Sequence, residues 1–364
     1  MADLLARRAL YDRAREALTD LDDSRFAAAI GDRPPDARRG WGDSYRAEIC
    51  GFPVFVKRLP LTDDEMDRPG DTSNIFGLPD FYHYGVGSAG FGAFREVAGH
   101  LKTTAWILDG AMESFPLLYH CRVIPRREPS PDPRFELEDY TRRWNGSETI
   151  RRMMAARVEA KHELCLVLEP FPHTLAAWLP ANQGAVGAVL DGLCRTLAFL
   201  RSAGLVHFDA HPWNVVGDGN DWHLVDFGLL LDEEFDVDDD ERAFLRRHRH
   251  YDAGELLASL GSVLLTMLHA LDPPARQRVE QRYGITPPIG ADHALKALLG
   301  RLDELRADSD LAIDECMVDA LARYHEVILY MATFLSQLQR NPRKDTAYDD
   351  AVLRSLLEAS GVPL

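Results

Sequence analysis

The chain has 364 residues, of which 46% are apolar and 27% charged, as is ordinary for a soluble protein that buries a core without disulfides or a structural metal. Acidic residues outnumber basic ones by 58 to 41, so the net charge is −17. This charge argues against partners such as nucleic acid or an anionic membrane, because both are bound by basic surfaces. It favours a cationic partner or simply solubility.

Targeting and redox features of the sequence favour a cytoplasmic protein. Residues 1–19 carry charges throughout and contain no apolar signal-peptide core. The longest apolar stretch, 256–271, is interrupted and too short to cross a bilayer, so we expect a buried helix there. The five cysteines are odd in number, scattered and without a Cys-x-x-Cys pair, which favours free thiols: Cys50, Cys121, Cys165, Cys194 and Cys316.

The first half of the chain reads as strands separated by inserts. A short amphipathic helix is predicted over 2–19 and a Pro/Gly-rich break over 31–40. Alternating apolar residues and a single helical stretch then predict these elements: strands 44–49 and 54–59, helix 94–108 and strand 116–124. We expect two inserts, an acidic loop at 61–90 and a Pro-rich, then helical, stretch at 126–160.

The second half of the chain is dominated by helical patterns. It follows Leu164–Leu168, a continuous apolar run that is typical of a buried strand. Helices are predicted at 174–178, 185–201, 256–270 and 319–339. Strands followed by helices predict an α+β fold of two lobes. The expected regions are a helical extension at 1–39, a β-rich lobe at 40–170 and a helical lobe at 171–364.

One stretch carries most of the chemical information. His207-Phe208-Asp209 is followed by Asn214, a Gly/Asp/Asn turn at 217–221 and then Asp226-Phe227-Gly228. The turn residues predict a hairpin with Asp209, Asn214 and Asp226 near one end. Two carboxylates and an amide suit Mg²⁺, which keeps substrate phosphates among its ligands. If Asn214 and Asp226 hold the metal, Asp209 can act as a base.

The pattern His-x-Asp-x-x-x-x-Asn followed by Asp-Phe-Gly resembles the catalytic and metal loops of protein-kinase-like phosphotransferases. The resemblance implies a bilobal fold with ATP and Mg²⁺ as cofactors. It implies that Asp209 accepts the proton of an acceptor hydroxyl and that Asn214 and Asp226 hold Mg²⁺. His207 would support the catalytic loop. The alternative is a surface hairpin with acidic turns.

A phosphotransferase also needs a cation for the ATP phosphates. Val54-Phe55-Val56-Lys57 resembles the Val-Ala-Ile-Lys strand of kinases and makes Lys57 the candidate, although an edge-strand lysine is the alternative. The resemblance also implies a glutamate on the next helix, where Glu96 of the predicted helix 94–108 is the candidate partner of Lys57 unless it is solvated. It implies a nucleotide-covering loop before the lysine strand, with Gly40 and Gly42 as the candidates, although Asp43 beside phosphates is unfavourable.

A second glycine motif competes for a nucleotide role. Gly85-Val86-Gly87-Ser88-Ala89-Gly90 fits the dinucleotide fingerprint, and Asp109 follows about twenty residues later. The segment before it, 78–84, is a poor parallel strand, so a turn before the helix is the favoured interpretation. An unusual phosphate-facing loop of a kinase is the other.

Two acidic residues fit the kinase resemblance at a distance from the motifs. It implies that Glu169 lies where the lobes hinge and the backbone binds adenine. Asp252 resembles the aspartate that opens the central helix of the large lobe. Both could equally be ordinary acids beside a turn or helix.

The chain departs from protein kinases after the metal loop. His211 replaces a usual lysine, as in aminoglycoside and other small-molecule kinases, and no Ala-Pro-Glu follows. The acidic run 232–241 holds eight carboxylates, which could attract a cationic acceptor or form a solvated loop. We therefore expect an ATP-dependent kinase acting on a hydroxyl of a protein or a small molecule. The alternative is a catalytically inactive pseudokinase that binds nucleotide or serves as a scaffold.

Overall fold

A computed structural model describes residues 2–31, 43–126, 136–285 and 289–363, without the side chains of the first two. Among these residues the helices are α1 (Ala2–Thr19), α2 (Asp23–Ile30), α3 (Asp63–Met66), α4 (Ala93–Asp109), α5 (Leu137–Arg143), α6 (Glu148–Glu159), α7 (Leu175–Trp178), α8 (Val186–Ser202), α9 (Asp239–Arg247), α10 (Tyr251–Ala270), α11 (Pro273–Tyr283), α12 (Ala291–Leu299), α13 (Leu302–Arg306), α14 (Glu315–Arg323), α15 (His325–Arg340) and α16 (Asp350–Ala359). The strands are β1 (Asp43–Ile49), β2 (Phe52–Leu61), β3 (Leu118–Pro125), β4 (His162–Leu168), β5 (His173–Thr174), β6 (Leu205–Val206), β7 (Val215–Gly217), β8 (Trp222–Leu224) and β9 (Leu231–Asp232). The expected α+β class is confirmed.

The chain divides into two compact units. Unit 1 comprises Met1–Phe171 and Val225–Arg242, and unit 2 comprises Pro172–Leu224 and Ala243–Leu364. This division differs from the predicted regions in two places. The N-terminal helices belong to unit 1, where Tyr11 of α1 packs on Tyr119 of β3 with ring centroids 6.4 Å apart. Segment 225–242 also belongs to unit 1, because its side chains pair with residues of that unit.

Unit 1 is built on a four-stranded antiparallel sheet in the order β1-β2-β4-β3. The four strands lie where the alternating and continuous apolar runs predict them. β4 is buried along most of its length, which is why its sequence is continuously apolar. Side chains of the sheet and of helix α4 form the core between them. Its members include Leu59, Leu61, Val97, Leu118, Leu164 and Leu166.

The two inserts of unit 1 carry secondary structure. The segment expected as an acidic loop contains α3 and a 3₁₀ turn at Asp80–His83. Thr62 and Glu65 form a capping box at the N-terminus of α3. The described part of the second insert forms α5 and α6, as its charged helical pattern predicts.

Unit 2 is organised around helix α10. Its small residues allow close packing, since a Cβ on Gly254 would lie 2.7 Å from Leu353 and one on Gly261 would lie 2.9 Å from Ile328. Within the described chain, α10 is the one helix whose length and composition would suffice to cross a membrane, and 67% of its most apolar window is buried. The predicted hairpin is confirmed: β7 and β8 pair antiparallel, with Val215 opposite Leu224.

Candidate active site

Lys57 of unit 1 is held between two carboxylates. Its Nζ lies 2.5 Å from Glu96 Oε1 and 3.0 Å from Asp226 Oδ1. Burial alone would lower the pKa of Lys57, but the charges of Asp226 and Glu96 outweigh burial and raise it. Lys57 is therefore a fixed cation with a 15% exposed side chain, and the Asp226 carboxylate beside it is 36% exposed.

The strand and helix that carry this ion pair explain its geometry. Lys57 lies in β2, opposite Ser44 of β1 and Leu166 of β4, so its backbone is fixed on both sides. Glu96 lies in the first turn of α4. That turn begins where Ala93 N–H donates to the buried Glu65 carboxylate at 2.7 Å. The acidic insert thus supplies the anion that favours a helix N-terminus.

The Asp226-Phe227-Gly228 loop packs closely against α4 and the loop before it. Asp226 has a φ of 68°, the left-handed conformation that costs a non-glycine residue free energy. Phe227 fits against Gly99, where a Cβ would lie only 2.7 Å from the Phe227 Cβ. Gly228 O accepts a hydrogen bond from Phe91 N–H at 3.0 Å. The loop that contains Asp226 is therefore held by close packing and a backbone hydrogen bond as well as by the ion pair with Lys57.

The second glycine motif ends against this same loop. Gly90 has a φ of 82°, and a Cβ there would lie 2.9 Å from Gly228 O. The dinucleotide fingerprint requires a strand before its first glycine. Residues 80–83 instead form a 3₁₀ turn. The motif is thus a tight turn leading into α4, as the favoured interpretation has it.

Two buried carboxylates of α10 bind the backbone of the loop at residues 207–210 in unit 2. Asp252 accepts hydrogen bonds from His207 N–H at 2.7 Å and from Phe208 N–H at 2.8 Å. Glu255 accepts one from Ala210 N–H at 2.7 Å. Phe208 has a φ of 64° and stacks on Phe244 with centroids 5.4 Å apart. The strained backbone of this loop is thus held by carboxylates and by aromatic packing.

Asp209 has a defined set of neighbours in unit 2. Asn214 Nδ2 donates to Asp209 Oδ2 at 2.7 Å and to its backbone carbonyl at 3.0 Å. His211 Nε2 lies 3.3 Å from Asp209 Oδ1. The buried His207 accepts the Asp209 N–H at Nδ1, 3.2 Å away. The Asp209 carboxylate is therefore oriented by Asn214 and His211, while His207 holds its backbone.

The charge of Asp209 affects the two carboxylates of α10 that bind its loop, Asp252 and Glu255. Burial raises the pKa of Asp252 to about 6, and the neighbouring Asp209 contributes to that rise. Burial, Asp209 and Asp252 together raise the pKa of Glu255 well above its ordinary value. Glu255 was missed in the sequence, although an acid one turn after Asp252 in an apolar helix is a signal that could have found it.

Oxygen donors that could bind a metal ion are present at Asp226 and Asn214. The described ranges contain no group of three or more His, Cys, Asp or Glu side chains suited to a metal ion. Magnesium needs fewer protein ligands, since it binds one or two carboxylates together with substrate phosphates and water. Asp226 offers a partly exposed carboxylate, and the amide of Asn214 offers Oδ1 because its Nδ2 is bound to Asp209. Taken separately, the carboxylate of Asp226 in unit 1 and the amide oxygen of Asn214 in unit 2 are donors of the kind that Mg²⁺ prefers.

The remaining predicted site residues lie either in unit 1 or outside the residues that the structure describes. Glu169 forms a two-pronged ion pair with Arg7 of α1, with Nε and Nη2 at 2.9 and 2.8 Å. Its backbone N–H donates to Leu117 O at 2.9 Å. Arg7 was missed, because nothing in α1 distinguishes it from the other arginines. Gly40 and Gly42 lie outside the described residues.

Comparison of the chain with protein-family models gave no match, and comparison with curated proteins gave none either. What the protein does is therefore inferred from its own side chains.

Proposed function

We propose that the protein is a bilobal, protein-kinase-like phosphotransferase that uses Mg²⁺ and ATP. The observation that carries the proposal is the Lys57–Glu96–Asp226 cluster, which brings together a strand, a helix and a loop far apart in sequence. A lysine held by two carboxylates remains protonated, so it can meet phosphate oxygens as a fixed positive charge. Glu96 is nearly buried and orients Lys57, whereas the more exposed Asp226 can take a second partner.

The chemistry assigned to each residue follows from its surroundings. Bound Mg²⁺ supplies charge neutralisation at the ATP phosphates. Lys57 binds the phosphates, and Asp226 with Asn214 Oδ1 are the residues that would hold the metal. Asp209 receives the proton of the acceptor hydroxyl as that oxygen bonds to the γ-phosphorus and the bond to the β-phosphate oxygen breaks. Asn214 and His211 hold the Asp209 carboxylate in place for that transfer.

The acceptor is a hydroxyl on either a protein or a small molecule. Attraction of a cationic acceptor by the acidic run is weaker than its eight carboxylates suggest. Asp232, Glu234, Asp236 and Glu241 are each bound to a side chain of unit 1. The run therefore contributes less free negative charge than its sequence implies.

The proposal is tested by incubating the protein with γ-labelled ATP, Mg²⁺, candidate proteins and a panel of hydroxylated amines. Asp209→Ala should lower the transfer rate by about 10²–10⁴-fold if Asp209 is the general base. Asp221→Ala, at the exposed turn of the neighbouring hairpin, is the matched control and should retain the wild-type rate. Transfer to a protein or to a small molecule supports the proposal and assigns the acceptor class. ATP binding without transfer to any acceptor contradicts it and indicates a pseudokinase.

A further inference from the structure

The acidic segment, residues 232–241, is tied to helix α4 and to the first insert. Lys102 of α4 lies 2.6 Å from Asp232 and 2.8 Å from Glu234. Thr72 of the insert donates its hydroxyl to Asp236 at 2.9 Å, and Asp236 N–H donates back to that oxygen at 3.0 Å. The segment is therefore attached at several points of unit 1.

Arg95 forms the most deeply buried of these attachments. Its side chain is 1% exposed, and Nη2 lies 2.8 Å from Oε1 of the equally buried Glu241. Nε donates to Thr72 O at 2.6 Å, so one guanidinium joins α4, the acidic segment and the insert. The rings of Phe91 and Phe235 face this guanidinium, with centroids 5.1 and 5.7 Å from Cζ. A planar fork with several donors makes such a junction, which a lysine could not.

Arg95 immediately precedes Glu96, the partner of Lys57. Successive residues of a helix point about 100° apart. The same turn of α4 therefore contacts the acidic segment through Arg95 and contacts Lys57 through Glu96. A shift of α4 that breaks the first contact must also move the second.

We propose that Arg95 is a positioning residue, which through Glu241 holds helix α4 so that Glu96 stays on Lys57. Added phosphate groups order segments in other proteins by pairing with arginine. Here the anion that pairs with arginine is the carboxylate of Glu241, which is part of the sequence itself. Residues 229–250 contain no Ser, Thr or Tyr that could be phosphorylated. The Lys57–Glu96 pair is thus assembled without modification of the acidic segment. The catalytic consequence rests on the proposed function, but the positioning itself does not.

Two variants test the positioning: Arg95→Met and Glu241→Gln. Arg151→Met, which removes an exposed Arg–Glu pair from α6, is the matched control. The direct readout is the rate at which Lys57 is acylated by trace acetic anhydride, followed by mass spectrometry, with circular dichroism to verify folding. Glu96 Oε1 lies 2.5 Å from Lys57 Nζ, so its departure uncovers the lysine amine and speeds acylation.

We expect Lys57 to be acylated several-fold faster in Arg95→Met and Glu241→Gln and at the wild-type rate in Arg151→Met. In phosphotransfer assays, KM for ATP should rise more than kcat falls, because the two variants misplace a phosphate-binding lysine. If Arg95→Met does not fold, Glu241→Gln, which keeps the shape of the side chain, decides. Unchanged acylation in folded Glu241→Gln overturns the inference. Absence of phosphotransfer by the wild-type protein overturns the proposed function and leaves the acylation result to decide the positioning.

Discussion

Lys57 Nζ lies 2.5 Å from Glu96 Oε1, although a long insert separates the strand and the helix that carry them. Both side chains are largely buried, and Asp226 completes the cluster at 3.0 Å from Lys57. A buried ion pair is not in itself evidence of stability, since desolvation can cost as much as the attraction gains. The presence of this pair beside a second, more exposed carboxylate is easier to explain by function.

Lys57→Met should lower kcat/KM for ATP-dependent transfer by about 10²–10³-fold, because it removes a fixed positive charge from the phosphates. Glu96→Gln should have a smaller effect, since Asp226 still contacts the lysine. Lys161→Met is the control, because Lys161 is 78% exposed and the substitution removes only a contact of 3.9 Å with Asp63. Steady-state kinetics at varied ATP measure the effect, and a Lys57→Met enzyme within twofold of wild type would refute this role.

Asp252 should make the folding stability depend on pH. The folded pKa is about 6, above the ordinary value of about 3.9, so the folded state retains a proton that the unfolded state has lost. The resulting stabilisation is complete below about pH 4 and is lost as pH rises to about 6, a change of about 3 kcal/mol at most. The free-energy advantage of wild type over Asp252→Asn should therefore shrink over that range.

Urea unfolding at several pH values measures this difference. Asp303→Asn, at an exposed position on α13, should show a difference from wild type that does not vary with pH. A wild-type advantage over Asp252→Asn that grows from pH 4 to pH 6 has the wrong sign for a raised pKa and would contradict it.

Gly99→Ala should destabilise unit 1 by about 1–3 kcal/mol, because the new methyl group would lie 2.7 Å from Phe227 Cβ and overpack the loop that holds Asp226. Gly187→Ala, on the exposed face of α8 with no atom within 4 Å, should instead stabilise by about 0.5–1 kcal/mol. Thermal unfolding compares the two variants. Equal effects of the two substitutions would show that the packing at Phe227 is not tight.

Local patterns were sufficient to predict much of this fold. β2 and β4 follow from apolar runs, and the β7–β8 hairpin follows from its turn residues. Helix α4 follows from one helical stretch between strands, whereas the pairing of Lys57 with Glu96 was implied only by the resemblance to kinases. These features depend on residues close together in sequence, which is where pattern and propensity carry information.

Tertiary contacts account for what could not be predicted. Segment 225–242 follows the hairpin of unit 2 in sequence, yet Arg95 and Lys102 draw its carboxylates into unit 1. The first insert reads as an acidic loop, but its Glu65 caps α4 from a distance. Ion pairs of this kind join charged residues that resemble any other solvated charge in the sequence.

In the proposed function, Asp226 binds Mg²⁺ together with ATP. Isothermal titration of wild type, Asp226→Asn and the control Asp221→Asn with ATP, in the presence and absence of Mg²⁺, tests this role most directly. We expect Mg²⁺-dependent ATP binding by wild type and Asp221→Asn, and loss of the Mg²⁺ dependence in Asp226→Asn. Undiminished Mg²⁺-dependent binding by folded Asp226→Asn would contradict it.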